Sequence, residues 1–252
     1  MDVASTKRTR IDAFGMTDTQ PNVRLVANAD EAGVVAASLL SEFAHQSVLA
    51  RGRFTLAMPG GSSPKSVFAH LSASATSPDF PWRQTQLLWV DERAVPPDHA
   101  DSNYGGFVRD VLPNLPIDPA DVHPMRGELG PDEGAAHYQN LLINVLGTHP
   151  IDAVLLGIGE DGHIASLFPG APSLEAIETV IGIHDSPKPP PMRITLTLPT
   201  LRAARLIVIL GLGSNKKDAV TRSLSGDPLP ARLAASGSSA VWIVDEHAMP
   251  VR

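Results

Sequence analysis

Short apolar runs that stop at glycine turns recur along this chain. Residues 151–156 read Ile-Asp-Ala-Val-Leu-Leu and end at Gly157 and Gly159. Phe54–Met58 ends at Pro59-Gly60-Gly61, and Leu206–Leu210 ends at Gly211. An apolar run of about four to eight residues closed by a turn reads as a strand buried on both faces, which is the habit of parallel sheets. Between the runs, apolar residues fall at helical spacing over 30–50, 65–72, 103–112, 131–146 and 216–225, with Asn28 or Asp30 as the first cap and Pro131 near the start of the fourth helix. Further strands are expected at 24–27, 86–90, 180–183, 193–198 and 240–244. Residues 91–102 read as a charged loop, 113–124 as a proline-rich connection and 185–191 as a polar loop.

Strands alternating with helices call for βαβ units. The expected fold class is α/β: a three-layer αβα arrangement, Rossmann-like, around a mostly parallel central sheet. There is no internal repeat and no convincing linker. A single domain is expected over 23–252, behind a loose tail at 1–22 in which Met16 is an alternative start.

Composition removes several function classes. The net charge is −7, which argues against general nucleic-acid binding. Cysteine is absent, which excludes disulfides, zinc–thiolate sites and thiol nucleophiles and fits a reducing compartment. No apolar run approaches the length of a membrane span, and the N-terminal segment lacks the apolar core of a secretory signal. A cytoplasmic protein without membrane partners is expected.

In open α/β sheets, ligands bind beyond the carboxyl ends of the strands, and four such ends here carry chemistry. After the 151–156 run comes Glu160-Asp161-Gly162-His163. A lone histidine in a turn is more often structural. Flanking glycines and carboxylates favour a general base, because imidazole titrates near neutral pH. Gly60-Gly61-Ser62-Ser63-Pro64 joins a strand to a helix, where free amides, hydroxyls and the helix dipole suit an anion. It lacks the spacing of a P-loop, and an ordinary capped helix is its plain alternative. Asp91-Glu92-Arg93 is by default a solvated loop. Its functional reading makes Arg93 an anion clamp, with Asp91 orienting a sugar hydroxyl or a water. Lys216 and Lys217 open a helix, a place where a cation is unfavourable unless an anion is bound there, and Arg193 starts an alternating strand that would let it join them. Cationic groups gathered at strand ends in an acidic protein suit a small anionic ligand.

These segments resemble 6-phosphogluconolactonases. The matching strings are Pro59-Gly60-Gly61-Ser62-Ser63-Pro64, Trp89 through Pro96 with Ser102-Asn103-Tyr104, Leu156 through Pro169, Arg193-Ile194-Thr195, and Gly213 with Lys216. They run in family order over nearly the whole chain, and Asp-Gly-His-Ile-Ala-Ser-Leu-Phe-Pro is the most specific of them. The resemblance implies the fold shared with glucosamine-6-phosphate deaminase and ribose-5-phosphate isomerase. It also implies hydrolysis of 6-phospho-D-glucono-1,5-lactone to 6-phosphogluconate in the oxidative pentose phosphate pathway. By position it implies His163 as the base. Asp161 or Glu160 would hold its tautomer, and Asp91 and Arg93 would stand at the lactone end. Gly60, Gly61, Ser62, Ser63, Arg193 and Lys216 would bind substrate. Ser63 stands where threonine is common, and Lys217 beside Lys216 leaves the lysine open by one position. No metal and no cofactor is required. The expected partner is the small sugar-phosphate lactone alone, on a monomer, with a weak dimer as alternative.

Two rivals remain. An amino-sugar 6-phosphate deaminase needs a glutamate seven residues past Asp161, where this chain has Phe168, and a tyrosine where it has Arg93. A non-catalytic sugar-phosphate sensor would carry an upstream DNA-reading helix pair, which residues 1–21 are too short to hold.

Overall fold

The computed structural model describes residues 21–61, 63–73, 80–236 and 239–249, with Ser63 as backbone only. The tail expected at 1–22 lies outside these residues except for its last two positions, and Ser62 lies outside them too.

The chain runs β1 (Asn22–Val26), α1 (Ala29–Arg51), β2 (Phe54–Met58), α2 (Ser63–Ser72), β3 (Thr85–Trp89), β4 (Asp91–Arg93), α3 (Asn103–Asp110), β5 (Val122–His123), α4 (Pro131–Leu146) and β6 (Ala153–Gly157). It continues through β7 (Val180–Ile183), β8 (Arg193–Leu196), α5 (Leu198–Ala203), β9 (Leu206–Gly211), α6 (Lys217–Ser225), α7 (Pro230–Ala234) and β10 (Ala240–Asp245). Seven strands form one sheet in the order β1-β10-β9-β6-β2-β3-β5, and every neighbouring pair is parallel.

Local chemistry accounts for the elements. Asn28 Oδ1 accepts from the backbone N–H of Asp30 and Glu31, each at 3.0 Å, and the Glu31 carboxylate returns to Ala27 N–H at 2.6 Å. This reciprocal cap starts α1. Ala32, Ala36, Ala37, Leu40 and Ala44 recur at helical spacing and are fully buried. β2 is buried along its whole length, as are Leu155, Ile207, Ile209 and Trp242 in neighbouring strands, so helices cover both faces.

Three segments differ from expectation. Asp91–Arg93 is not a loop: it pairs antiparallel with β8, Asp91 opposite Thr195 and Arg93 opposite Arg193, and β7 completes this second, three-stranded sheet. Tertiary pairing there overrides a charged, turn-like composition. The strand expected to run to Leu198 stops at Leu196, because Pro199 in the first turn opens α5. The proline-rich connection contains β5, two residues long and too short for periodicity to reveal.

From β2 the chain works outward through β3 to β5. It then returns to β6 and works the other way through β9 to β10. The gap between the carboxyl ends of β2 and β6 is therefore a topological switch point, the place where such sheets open a crevice.

Candidate active site

A cleft of about 600 Å³ occupies that crevice. Its walls include Gly60 and Gly61 after β2, Asp91 and Arg93 of β4, Gly159 and His163 after β6, Arg193 of β8 and Lys216 before α6. Turns far apart in sequence thus converge as the strand pattern implied. Asp161 stands behind His163, while Ser62 and the Ser63 side chain are outside the described residues.

His163 is held by its own turn. Gly159 N–H donates to His163 O at 2.8 Å, and Gly162 N–H to Gly159 O at 3.0 Å. A methyl group at position 159 would stand 1.9 Å from His163 Nδ1, so only glycine admits the ring in this place. His163 Nδ1 meets Asp161 Oδ1 at 2.5 Å, and the same oxygen accepts the His163 backbone N–H at 3.3 Å. Committing Nδ1–H to a carboxylate leaves Nε2 as the nitrogen with a free lone pair. Glu160 does not share this role: its Oε1 lies 3.4 Å from Lys188 Nζ.

The basicity of the imidazole reflects opposed influences. Burial pushes His163 below its ordinary value, outweighing the hydrogen bond and charge of Asp161, which act upward. For Asp161, burial alone would raise the carboxyl. The hydrogen bond from His163, the charge of that ring and the charge of Lys188 outweigh it and hold Asp161 low. Both directions favour a neutral imidazole beside an ionised carboxylate at neutral pH. The buried Phe168 ring packs on the imidazole with centroids 4.7 Å apart, and the Arg193 guanidinium lies 5.8 Å from the Phe168 centroid.

The wall from β4 is fixed by a buried network that sequence reasoning missed. Asp91 accepts from Ser166 Oγ at 2.7 Å and from Asn103 Nδ2 at 3.3 Å. Asn103 Nδ2 also donates to Asp91 O at 2.9 Å, and its Oδ1 sits 1.9 Å from where a Cβ on Gly60 would be. Gly60 is thus a point of close approach between the β2 turn and α3. Glu92, also buried, accepts the backbone N–H of Arg93, Asn103 and Tyr104 and the Ser102 hydroxyl, and so ties the start of α3 to β4. Burial raises its carboxyl despite the backbone donors that oppose it. Arg93 Nη1 donates to Asp101 O at 2.6 Å, which braces the 94–102 segment.

After β9, Lys216 closes a short 3-10 turn, Ser214–Lys216, just before α6. Lys216 lines the cleft and Lys217 does not. Lys216 makes no ion pair among the described residues, so its charge is available. Also among them, no cluster of His, Asp and Glu side chains is arranged to hold a metal ion.

A family model described as glucosamine-6-phosphate isomerases/6-phosphogluconolactonase matches residues 27–243. The chain belongs to this family. A 6-phosphogluconolactonase of Streptomyces coelicolor is 35% identical over 251 residues, covering 92% of this chain and 95% of its own. The human 6-phosphogluconolactonase is 37% identical over 237 residues, covering 90% and 92%. Among solved structures, the 6-phosphogluconolactonase from Trypanosoma cruzi superposes with a TM-score of 0.81 at 25% identity, covering 92% of this chain and 97% of its own. A monomeric glucosamine-6-phosphate deaminase superposes with a TM-score of 0.76 at 19% identity over 90% of this chain and 98% of its own, which shows the shared fold alone. Position 168, where the resemblance to deaminases would call for a glutamate, carries a phenyl ring whose centroid lies 4.7 Å from that of the His163 imidazole.

Proposed function

We propose that the chain hydrolyses 6-phospho-D-glucono-1,5-lactone to 6-phospho-D-gluconate, the lactone step of the oxidative pentose phosphate pathway, with His163 activating water. The observation that carries this reading is the cleft itself, lined together by a carboxylate-oriented imidazole, a glycine turn and a lysine that makes no ion pair among the described residues.

His163 Nε2 takes a proton from water, and the hydroxide adds to the lactone carbonyl carbon. Negative charge grows on the carbonyl oxygen, where Arg93 supplies a donor. Collapse breaks the bond to the ring oxygen, which takes the proton back from the imidazolium. The product acid then ionises to solvent. Asp161 keeps the imidazole in the reactive tautomer and stabilises the imidazolium between the two transfers. Asp91, fixed by Ser166 and Asn103, is placed to orient a ring hydroxyl or the water. Lys216, the Gly60-Gly61 turn leading into α2 with Ser62 and Ser63, and Arg193 hold the phosphate. Anchoring this distant group orients the carbonyl for attack. A lactone is an activated ester, so the sequence of steps requires neither metal nor cofactor. No Gly-x-Ser-x-Gly elbow is present to make a serine the nucleophile.

The same reading takes 23–252 as one domain, since β1 and β10, from opposite ends of the chain, pair in one sheet. It takes the protein as a cytoplasmic monomer without nucleic-acid or membrane partners. The net charge of −7 argues against general nucleic-acid binding; separately, among the described residues no helix is long and apolar enough to cross a membrane.

Lactone hydrolysis by the wild type and His163→Ala, with calorimetry of 6-phosphogluconate binding, tests the proposal. The variant is expected to lose about 10²- to 10⁴-fold in kcat and to keep its affinity for product. Unchanged turnover would remove His163 from the mechanism. Ammonia release from glucosamine 6-phosphate would favour the deaminase reading instead.

A further inference from the structure

One residue pins the 186–191 loop beside the site. Arg193 donates from Nε to Pro190 O at 3.0 Å, and from Nη2 to Lys188 O at 2.9 Å and Pro189 O at 3.1 Å. Its Nη1 reaches Ser166 Oγ at 3.4 Å. A guanidinium has five N–H donors, so one remains for the cleft that Arg193 lines. Ser186 Oγ also donates to Lys188 O, at 2.9 Å. The backbone at Lys188 is therefore fixed from two sides, and its side chain reaches the His163 turn. Lys188 Nζ lies 3.4 Å from Glu160 Oε1 and 3.9 Å from Asp161 Oδ1, the oxygen that meets His163 Nδ1.

We propose that Lys188 is a positioning residue of the hydrolytic pair: its ammonium holds the adjacent carboxylates of Glu160 and Asp161, so that Asp161 faces His163 as an anion and the imidazole stays free to accept a proton. The proposal rests on the reading of His163 as the base. Two acids act upward on that ring, Asp161 on its own turn and Asp91 from β4, and Glu160 precedes Asp161 in the same turn. Their combined field favours imidazolium, which cannot take a proton from water. The cations facing it are Lys188 from the loop, Arg193 behind the Phe168 ring, and Arg93 and Lys216 along the cleft. Of these, Lys188 is the one paired with the two acids of the turn. Its charge acts downward on His163 and on Asp161 alike. Lys188 is not part of the cleft wall, so it acts through Asp161 rather than on substrate.

The test replaces the charge and leaves the pinned backbone, because Arg193 and Ser186 hold Lys188 by its carbonyl. In Lys188→Met the acid limb of the kcat/KM profile is expected to move upward by about half a pH unit at low ionic strength, a loss of about threefold below the limb with none at pH 8. The shift should shrink at about 0.5 M salt, because the ammonium is partly exposed. Lys188→Arg is expected to restore the wild-type profile. The His163 imidazole, followed by NMR titration of the free protein, should move by the same amount. An unmoved His163 titration, or a loss equal at every pH that arginine does not repair, overturns the proposal. Because the NMR reading does not depend on turnover, it judges Lys188 even if His163→Ala shows that the base lies elsewhere.

Discussion

In the proposed mechanism His163 works under opposing demands. It must be neutral to accept a proton from water, yet stable enough as imidazolium to return that proton to the leaving oxygen. Burial supplies the first condition and Asp161 the second, and burial prevails in the free protein. The sign of the pH dependence follows. With the imidazole below its ordinary value of about 6.5, kcat/KM should be flat through neutral pH and fall tenfold per unit only below the lowered value. A limb centred above about 6.5 in the wild type would contradict a base held low by burial. Asp161→Asn should cost about 10²- to 10⁴-fold in kcat with KM little changed, because the amide can stabilise the wrong tautomer and carries no charge for the imidazolium. Equal losses in kcat and in product affinity would make Asp161 a structural residue instead. The imidazole, its adjoining acids and its glycines are contiguous in the chain, which is why this part of the site was legible in sequence. The parts played by Asn103, Ser166 and Lys188 were not: Asn103 and Ser166 stand in matching strings, but each of the three reaches the site through partners 12 to 75 residues away in sequence, which no local pattern shows.

At the scale of elements, the turns carry the geometry and the strands carry the turns. β2, β7 and α4 begin and end where apolar pattern and proline placement put them, since each is set by local burial or a local cap. β4 was hidden because Asp91-Glu92-Arg93 becomes a strand only through pairing with β8, and that pairing sets Arg93 and Arg193 opposite each other at the cleft. Gly159 shows how tightly a turn is drawn. A methyl group there would stand 1.9 Å from His163 Nδ1 and 2.7 Å from Asp161 Oδ1, both parts of the proposed catalytic pair. Gly159→Ala should therefore displace the ring, lowering kcat by about 10²-fold, while product affinity, which the proposed mechanism assigns to Lys216, Arg193 and the Gly60 turn, changes little. Kinetics with product-binding calorimetry on the same preparation checks this. A kcat within threefold of wild type would mean that the turn relaxes around the methyl group and leaves the ring in place.

Across the whole molecule, the parallel sheet gives one end of the protein a purpose the other lacks. All seven strands of the main sheet point the same way, so their carboxyl-end turns meet at one edge of the core, with the cleft at the switch between β2 and β6. An acidic chain thereby gathers Arg93, Arg193 and Lys216 around one small volume, and a ligand bound there joins turns from four separate strands. Such a ligand binds the folded state and not the unfolded chain, so it must stabilise the fold. At about 100 times its dissociation constant, 6-phosphogluconate should add about 2.7 kcal/mol, worth about 5–10 °C in Tm for a chain of this length. Lys216→Ala should leave the ligand-free Tm close to wild type, because Lys216 forms no ion pair among the described residues. It should cut the ligand-induced shift at the same ligand concentration to about half and raise KM for the lactone about tenfold, since a charge-assisted contact to phosphate is lost. A variant whose ligand-free Tm falls while its ligand-induced shift persists would transfer the lysine's role from binding to folding, and would leave the phosphate to Arg193 and the glycine turn.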